Sequence, residues 1–361
     1  RVVKLFKTMN KAIMSGDIVA CNVVDEGGAV CAVIKSCMGN MLGTNWKEIT
    51  PDMFAPAFGD FIILAKDVSK LRSYTPEFIC SLNGTHTMVV GKGGEDSVKI
   101  KMSDLCRAFT SPMEEVFPST AYSDGEVRNL ICCAIKRKGT HTGIVKPRVL
   151  IPVFPGTNCE YDTARAFERA GAVAETLIIR NQSPRDIEDS VNAIIKSLDN
   201  SQILAFPGGF SGGDEPDGSG KFIATTFRNP AVAEAVMKML YDRDGLALGI
   251  CNGFQALIKL GLVPYGKITE QTSDAPTLTF NNISRHVSTI SRIRVATNKS
   301  PWLYGVNVDD VFNVPVSHGE GRFVASQAEL DKLIAGGQVA TQYVDMSGNA
   351  TMTSPFNPNG S

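Results

Sequence analysis

The order of apolar and amphipathic segments from Arg148 onward constrains the fold of this chain most strongly. Short apolar runs of strand length alternate with segments whose apolar residues have helical spacing; the runs are Val149–Phe154, Thr176–Ile179, Gln202–Phe206 and Leu246–Ile250. Strands that alternate with helices form parallel sheets with helices on both faces. We therefore predict an α/β fold with a doubly wound parallel sheet over residues 148–361.

The helices between these runs have clear start signals. Ser183-Pro184 and Asn229-Pro230 each combine an N-cap residue with a proline at the first helical position. Helical spacing also covers Asp162–Arg169 and Asn252–Leu260. Binding sites in such sheets lie beyond the carboxyl ends of the strands, so we expect the loops that follow the apolar runs to share one site.

Cys251 has the sequence context of a nucleophile elbow. It follows the run Leu246–Ile250 and directly precedes the helix Asn252–Leu260, with glycines at 249 and 253. A sharp strand-to-helix turn needs small residues at those two positions and raises the side chain between them above the sheet. The partial positive charge at the start of a helix favours a thiolate there. The alternative is a buried structural cysteine at a strand end.

A glycine-rich loop, Pro207–Asp214, follows the neighbouring apolar run. A cysteine that attacks an amide needs N–H donors for the oxyanion of the tetrahedral intermediate. We assign this role to the backbone around Gly208, Gly209 and Phe210, together with the N–H of Asn252. Gln255, on the same helix, is assigned with these residues to substrate binding. A merely flexible glycine loop is the alternative.

A cysteine nucleophile also needs a base, usually a histidine oriented by a third group. The chain has four histidines, and only His318 has a carboxylate close by, at Glu320. From the residues alone, His318 and Glu320 are the best available dyad. A third loop, Pro155–Glu160, follows the first run; its Cys159 lacks the elbow pattern and is expected to be structural or to line the site.

Residues 1–105 have a different pattern and predict a smaller α+β domain. Helical spacing over Leu5–Met14 is followed by β-like runs with turn signals such as Lys92-Gly93-Gly94 between them; the runs are Ile18–Val24, Ala29–Ile34, Phe61–Ala65, Met88–Val90 and Val98–Lys101. Residues 106–147 contain prolines and polar turns and are expected to be a linker. His86 and His141 lie in turns and are expected to have surface or structural roles.

Composition and charge exclude several classes of function. The 361 residues have a formal net charge of −1 and no long basic run, which gives no support to nucleic-acid or membrane-surface binding. No apolar stretch approaches the ~20 residues of a membrane span. Nine cysteines, including the adjacent Cys132 and Cys133, form no C-x-x-C, so no disulfide framework and no metal site are expected. We expect a cytoplasmic protein with reduced cysteines.

Taken together, the loop motifs resemble a known family. Leu248–Gln255 resembles the nucleophile segment of the triad (class I) glutamine amidotransferases. The other motifs are together similar to phosphoribosylformylglycinamidine synthase, also called formylglycinamide ribonucleotide amidotransferase; they are Pro155–Glu160, Pro207–Asp214, His318–Arg322 and Asn357–Ser361. Residues 148–361 carry these motifs. Residues 1–105 resemble, more weakly, the C-terminal lobe of the second half of the synthetase region in that family.

The resemblance implies a flavodoxin-like amidotransferase domain that hydrolyses glutamine through a γ-glutamyl thioester at Cys251. The released ammonia would pass to a separate ATP-dependent site, which converts formylglycinamide ribonucleotide to the amidine in purine biosynthesis. The chain would thus be part of a glutamine-dependent carbon–nitrogen ligase. ATP and magnesium are implied for the complete enzyme and no cofactor for this part, whose partner is the remaining synthetase region.

The resemblance also changes the expectation for the base. In this family the catalytic histidine and glutamate form a His-x-Glu motif beyond the Asn-Pro-Asn-Gly-Ser segment, and therefore beyond Ser361. We expect a domain truncated at its C-terminus that holds the nucleophile without its base, inactive in synthesis and at best an impaired glutaminase. Asn158, His318 and Glu320 are then expected near the glutaminase site or at the face that meets the synthetase region.

Two other functions are compatible with the residues. An elbow cysteine on such a sheet also serves hydrolases and peptidases of related fold. Labelling of Cys251 by a glutamine-like electrophile, with protection by glutamine, would separate an amidotransferase from these. The chain could alternatively be a non-catalytic assembly element that docks through residues 1–147; apolar surface on that region and self-association would favour this role.

Overall fold

The computed structural model describes residues 2–65, 67, 69, 71, 76–91, 97–121, 123, 125–130, 143–212 and 220–361. Several residues named above lie outside this part of the chain: Lys92 to Gly94, Cys132, Cys133, His141, and Gly213 and Asp214 at the end of the glycine-rich loop. The chain divides into two compact units, residues 1–119 and 120–361. Each is an arrangement of helices and strands around its own core.

The first unit is an α+β structure. Its elements are α1 (Val2–Met14), β1 (Ala20–Val23), α2 (Gly28–Met38), β2 (Gly43–Trp46), β3 (Phe61–Leu64), β4 (Cys80–Asn83), β5 (Thr87–Val90), β6 (Val98–Lys101) and α3 (Met102–Glu114). Strands β1 and β3 pair antiparallel, and the other strands form a sheet of order β4-β2-β5-β6. Val30, Val33, Trp46, Met88 and Met102 are buried in the core between this sheet and its helices.

Two expectations for the first unit differ from the structure. The run Ala29–Ile34 was expected to be a strand and is part of helix α2. A short apolar run fits a buried helix as well as a strand, and here a turn at Gly27, with φ 86°, starts the helix. The expected domain boundary at residue 105 falls inside α3, which continues through Pro112 to Glu114.

The second unit contains the predicted α/β fold. Its first elements are β7 (Arg148–Val153), α4 (Glu160–Arg169), β8 (Val173–Ile178), α5 (Pro184–Asn200), β9 (Ile203–Phe206), α6 (Lys221–Phe227), α7 (Pro230–Met237), β10 (Leu246–Gly249), α8 (Asn252–Leu260) and α9 (Leu262–Tyr265). The strands form a parallel sheet of order β10-β9-β7-β8. The helix starts follow the predicted signals, since the Ser183 side chain accepts a hydrogen bond from the Asp186 N–H.

Alternate residues of the central strands enter two different cores, one on each face of the sheet. Leu150, Leu204 and Phe206 join one core with residues of the helices α5, α6, α7 and α8. Val149, Ile151, Ile203 and Ala205 join the other, against which Ala164 and Phe167 of α4 pack. Burial on both faces explains why these strands are continuously apolar in the sequence. The predicted doubly wound sheet is confirmed.

The rest of the second unit is mostly antiparallel. Its elements are β11 (Thr277–Thr279), β12 (Val287–Val295), β13 (Val311–His318), β14 (Arg322–Val324), α10 (Gln327–Ala335) and β15 (Thr341–Tyr343). Strand β12 pairs with β13 and β15, and β11 pairs with β14. Within the described ranges, no helix combines the length and the hydropathy that crossing a membrane requires.

The strand order places a topological switch point between β7 and β9. From β7 the chain moves outward to β8, returns to β9 on the other side of β7, and then continues to β10. Ligands bind to open parallel sheets at such points, beyond the carboxyl ends of the strands. The loops that begin at Phe154, Pro207 and Ile250 all lie at this edge.

Candidate active site

Cys251 occupies a sharp turn between β10 and α8. Its backbone has φ 53° and ψ −112°, a conformation that residues with a side chain rarely adopt. Such a conformation costs about 1–3 kcal/mol and persists only where the surroundings hold it in place. The side chain is exposed. The turn therefore presents the sulfur to solvent at the start of a helix, as the sequence predicts.

Two glycines allow this turn to close. A Cβ on Gly249 would lie 2.5 Å from the carbonyl oxygen of Gly253 and 2.7 Å from Cδ1 of Leu257. A Cβ on Gly253 would overlap the carbonyl oxygen of Phe206 and lie 2.6 Å from its carbonyl carbon. Because these neighbours are mostly backbone atoms of the sheet and the helix, they cannot move aside locally. Helix α8 packs this tightly against β9 only with glycine at both positions.

The glycine-rich loop is bound to the loop that follows β7. The Phe210 N–H donates to the carbonyl oxygen of Gly156 at 3.0 Å, and the Asn158 N–H donates to that of Gly208 at 3.4 Å. A third bond joins the Gly212 N–H to Pro155 O at 2.7 Å. These bonds correct one expectation: the N–H of Phe210 already has an acceptor and does not point to an oxyanion. Asn158 contributes to the site through its backbone.

Gly208 lies beside the nucleophile. A Cβ placed on it would be 3.3 Å from Cβ of Cys251 and 3.5 Å from Sγ of Cys159. Its neighbour Gly209 has φ 133°, and among the described residues the Gly209 N–H has no hydrogen-bond partner. Gly209 therefore keeps a donor available in the loop that borders Cys251.

Cys159 is the second thiol at this edge of the sheet. It precedes α4, and its Sγ lies 3.1 Å from the Asn158 side-chain oxygen. Burial raises the pKa of the Cys159 thiol, and the negative charge of a Cys251 thiolate raises it further. Both effects favour the protonated thiol at Cys159.

Asn252 and Gln255, both assigned to substrate binding from the sequence, are buried on the inner face of α8. The Gln255 side-chain oxygen accepts from Asn252 Nδ2 at 3.2 Å, and its nitrogen donates to the carbonyl oxygen of Glu320 at 3.0 Å. The same nitrogen lies 3.4 Å from Oε2 of Glu320. Both ends of the Gln255 amide are thus bonded within the protein, and its assignment to substrate binding stays a prediction.

His318 lies at the end of β13 among side-chain amides. Its Nδ1 is 3.1 Å from Oδ1 of Asn281, and its Nε2 is 3.5 Å from Nδ2 of Asn359. Burial lowers the pKa of the His318 ring, which favours a neutral ring that donates through one nitrogen and accepts through the other. Both ring nitrogens therefore face side-chain amides, and no hydrogen bond joins His318 to Cys251 among the described residues. Nor is Glu320 its partner, since that residue reaches towards Gln255.

Sequence reasoning missed Asn281, which organises this region. Its Nδ2 donates to the carbonyl oxygens of Arg285 and His318 at 3.0 and 2.8 Å, and its Oδ1 accepts from the Gly321 N–H at 3.1 Å. Asn359 binds the same loop, donating to Gly321 O at 2.9 Å. The segment Asn357–Ser361 therefore packs on His318–Arg322. A buried asparagine has no signature in a single sequence, although its position next to Asn282 marks a turn.

The described residues contain no group of three or more histidine, cysteine, aspartate or glutamate side chains that could hold a metal ion. The groups at this edge of the sheet that the structure describes are the exposed thiol, the glycine backbone and the buried amides around them.

Comparison with known proteins agrees with this geometry. The sequence profile of a family described as the CobB/CobQ-like glutamine amidotransferase domain matches residues 146–361. The chain belongs to this family. The amidotransferase domain covers β7 to the last residue, so the loops that surround Cys251 are all inside it. The recognition made from the motifs and the predicted fold class are both confirmed.

Relatives of this amidotransferase domain include subunits with a more specific name. A phosphoribosylformylglycinamidine synthase subunit PurQ from Methanococcus maripaludis is 35% identical over 217 residues, 60% of this chain and 74% of the relative. The subunit of the same name from Dehalococcoides mccartyi is 34% identical over 215 residues, 60% of this chain and 76% of the relative. A chain in the structure of PurLQS from Thermotoga maritima is 27% identical to this one. The match covers 50% of this chain and 70% of that chain, with a TM-score of 0.37, which is too low to bear on the fold.

Proposed function

We propose that this chain hydrolyses glutamine at Cys251 and supplies the ammonia to phosphoribosylformylglycinamidine synthesis. The observation that carries the proposal is the strained, exposed cysteine between Gly249 and Gly253, within an amidotransferase domain. The names of the PurQ relatives support the more specific assignment.

The reaction starts when the Cys251 thiolate attacks the side-chain carbonyl carbon of glutamine. The carbonyl oxygen becomes an oxyanion, which the backbone N–H groups of Gly209 and Asn252 stabilise. The carbon–nitrogen bond then breaks, the leaving nitrogen takes a proton from water and departs as ammonia, and the glutamyl group remains on sulfur as a thioester. Water attacks this thioester, releases glutamate and restores the thiol. We propose that His318 is not the base that activates Cys251, and the two amides that face its ring nitrogens support this.

In the complete enzyme the ammonia would convert formylglycinamide ribonucleotide to the amidine, with ATP and magnesium bound in the synthetase region. We propose that residues 148–361 are the glutaminase domain. Residues 1–105 would then belong to the synthetase region, joined through residues 106–147.

Selective labelling tests the glutaminase assignment. A diazoketone analogue of glutamine should modify Cys251, and glutamine should protect it, because the analogue reacts only after it has bound like the substrate. Cys251→Ala should abolish labelling and any glutamine hydrolysis. Cys21→Ala removes another exposed cysteine and serves as the matched control, which should behave as the unmodified protein. Labelling of Cys251 at the same rate with and without glutamine would refute the proposal.

A second comparison tests the specific pathway. With a complete synthetase region present, Cys251→Ala should eliminate glutamine-dependent amidation and leave ammonia-dependent amidation intact. Loss of hydrolysis in His318→Ala, despite a correctly folded protein, would contradict the exclusion of His318 as the base.

A further inference from the structure

Two cysteines border the same point at the carboxyl edge of the parallel sheet. Cys159 reaches it from the loop after β7, and Cys251 reaches it from the turn after β10. A Cβ added to Gly208 would lie 3.5 Å from Sγ of Cys159 and 3.3 Å from Cβ of Cys251. The two side chains are therefore neighbours, and the space that they share is the one that a side chain at position 208 would fill. We call these two residues the cysteine pair.

This spacing suits a disulfide that forms after a small movement. Neither distance to the shared point exceeds 3.5 Å, so Sγ of Cys159 and Cβ of Cys251 are separated by about 7 Å at most, whereas a disulfide joins Cβ atoms about 3.8 Å apart. Rotation about χ1 changes the position of each sulfur. The Cys159 thiol donates a weak hydrogen bond to Oδ1 of Asn158 at 3.1 Å, which is lost when the thiol gives up its proton.

The two thiols differ in their access to solvent. Cys251 is exposed, whereas Cys159 is partly buried. Thiols are oxidised according to their thiolate character and exposure, and the sulfenic acid that results condenses with a nearby thiol. Cys251 therefore meets an oxidant first, and Cys159 lies where it can react with the product. We propose that a hydroperoxide oxidises Cys251, which then forms a reversible disulfide with Cys159 that blocks the nucleophile.

The modification has two steps. The Cys251 thiolate attacks one oxygen of hydrogen peroxide, so that a sulfur–oxygen bond forms and the oxygen–oxygen bond breaks. The sulfur gives up two electrons to the peroxide, and the departing hydroxide takes a proton from solvent and becomes water. The Cys159 sulfur then attacks the sulfur of the sulfenic acid. A sulfur–sulfur bond forms, the sulfur–oxygen bond breaks, and the hydroxide leaves as water with the proton of Cys159.

The charges around Cys159 favour this order of steps. Burial raises the pKa of the Cys159 thiol, and a negative charge on Cys251 raises it further, as do the carboxylates of Asp162 and Glu160. Conversion of Cys251 to a neutral sulfenic acid removes the charge of Cys251. Cys159 therefore loses its proton more readily after the first step than before it.

The first unit contains a second pair of neighbouring cysteines, which serves as an internal comparison. Cys37 of α2 and Cys80 of β4 belong to the same core. Burial and, less strongly, the nearby Cys37 raise the pKa of the Cys80 thiol to about 11, and burial also raises the pKa of Cys37. Because neither thiol is exposed, both should stay reduced under conditions that oxidise Cys251.

The disulfide would protect Cys251 as well as block it. A dithiol reduces a disulfide by thiol exchange and returns the free nucleophile. Further oxidation of an unprotected sulfenic acid gives a sulfinic acid, which a dithiol does not reduce. Formation of the disulfide does not depend on the substrate of Cys251; only its effect on glutamine hydrolysis rests on the proposed function.

The test treats the reduced protein with hydrogen peroxide, alkylates the remaining thiols with iodoacetamide in denaturant and digests the protein without reduction. Mass spectrometry should find the peptide of Cys159 linked to that of Cys251. The peptides of Cys37 and Cys80 should instead carry the iodoacetamide group. Cys159→Ser, which keeps the size of the side chain and removes the thiol, should form no linked peptide. Cys31→Ala, which removes another partly buried thiol, is the matched control and should link like the unmodified protein.

Recovery after oxidation supplies a second readout. Dithiothreitol should restore iodoacetamide labelling of Cys251 in the unmodified protein and in Cys31→Ala. In Cys159→Ser, labelling should stay lost, because Cys251 proceeds to the sulfinic acid. Each protein is compared with its own untreated rate, so an effect of the serine on labelling itself does not enter. Cys159→Ala replaces the serine variant if that protein does not fold.

Three results would overturn the inference. Oxidation of Cys251 to a sulfinic acid without a linked peptide would show that Cys159 does not reach it. A disulfide from Cys251 to any other cysteine would assign the role elsewhere. Equal recovery of Cys159→Ser and Cys31→Ala would show that Cys159 gives no protection. If the linked peptide forms but glutamine never suppresses analogue labelling, the glutaminase proposal fails and the disulfide stands.

Discussion

Replacing Gly253 by alanine should disturb the elbow more than the same replacement at Gly249, because the added methyl group would meet backbone atoms at a shorter distance. The new Cβ would overlap the carbonyl oxygen of Phe206 and lie 2.6 Å from both its carbonyl carbon and its Cβ. Phe206 cannot move away, because it is 1% exposed and packs edge-on against Phe227 with ring centroids 4.7 Å apart. Helix α8 must therefore shift outward and carry Cys251 with it.

The magnitude follows from two opposing effects. Alanine is favoured over glycine within a helix by about 1 kcal/mol. Overpacking costs about 1–3 kcal/mol, and the upper end applies here because the contacted atoms are largely sheet backbone. The net loss is about 2 kcal/mol of unfolding free energy, which corresponds to a melting temperature lower by about 4–8 °C for a unit of this size.

Thermal unfolding, followed by circular dichroism, measures the loss of stability. The rate at which the glutamine analogue labels Cys251 measures the displacement of the nucleophile. Gly305→Ala is the control, because no described atom lies within 4 Å of its added Cβ and its φ is not positive. The control should stay within about 1 kcal/mol of the unmodified protein. If Gly253→Ala has the melting temperature and the labelling rate of the control, the claim that helix α8 needs glycine at this position is refuted.

Three further substitutions have defined outcomes. Burial lowers the pKa of His318 from its ordinary 6.5, so the unfolded state binds a proton on this ring more tightly than the folded state does. The contribution of His318 to stability should therefore be complete above pH 6.5 and decline as the pH falls towards the folded-state pKa. His318→Gln should flatten this pH dependence of the melting temperature. Asn281→Ala removes a buried side chain that donates to the carbonyl oxygens of Arg285 and His318. It should lower the unfolding free energy by about 3 kcal/mol, measured by urea unfolding. An unchanged urea midpoint would show that these hydrogen bonds do not stabilise the fold. Gly209→Ala would put a Cβ 2.7 Å from the carbonyl oxygen of Gly156 at a φ of 133°. It should slow analogue labelling of Cys251 by about 10- to 100-fold, because the oxyanion donor is displaced, and leave labelling by iodoacetamide unchanged.

Much of the second unit could be predicted because its signals are local. The cap at Ser183 and the start of α8 at Asn252 depend on neighbouring residues, and both occur where the sequence places them. The elbow could likewise be predicted, since Gly249 and Gly253 are required by a turn of five residues. Continuously apolar strands between helices also determine the parallel sheet, because both faces must be covered.

Other features depend on contacts between distant residues. Nothing in the sequence pairs Gln255 with Glu320, and the amide of Phe210 is occupied only because the loop at Gly156 lies beside it. The spacing of His318 and Glu320 favours a dyad, whereas in the structure the His318 ring lies against Asn281 and the Glu320 side chain lies near Gln255. The strand expected at Ala29–Ile34 fails for the opposite reason: an apolar run of six residues has too little periodicity to distinguish a helix from a strand.

The most direct test of the account is to trap the covalent intermediate. The protein is mixed with isotopically labelled glutamine, quenched in acid, digested and analysed by mass spectrometry. We predict a glutamyl thioester on the peptide that contains Cys251, absent from Cys251→Ala and present in Cys21→Ala. A glutamyl group on any other cysteine, or turnover of glutamine without an adduct at Cys251, would contradict the claim that Cys251 is the nucleophile.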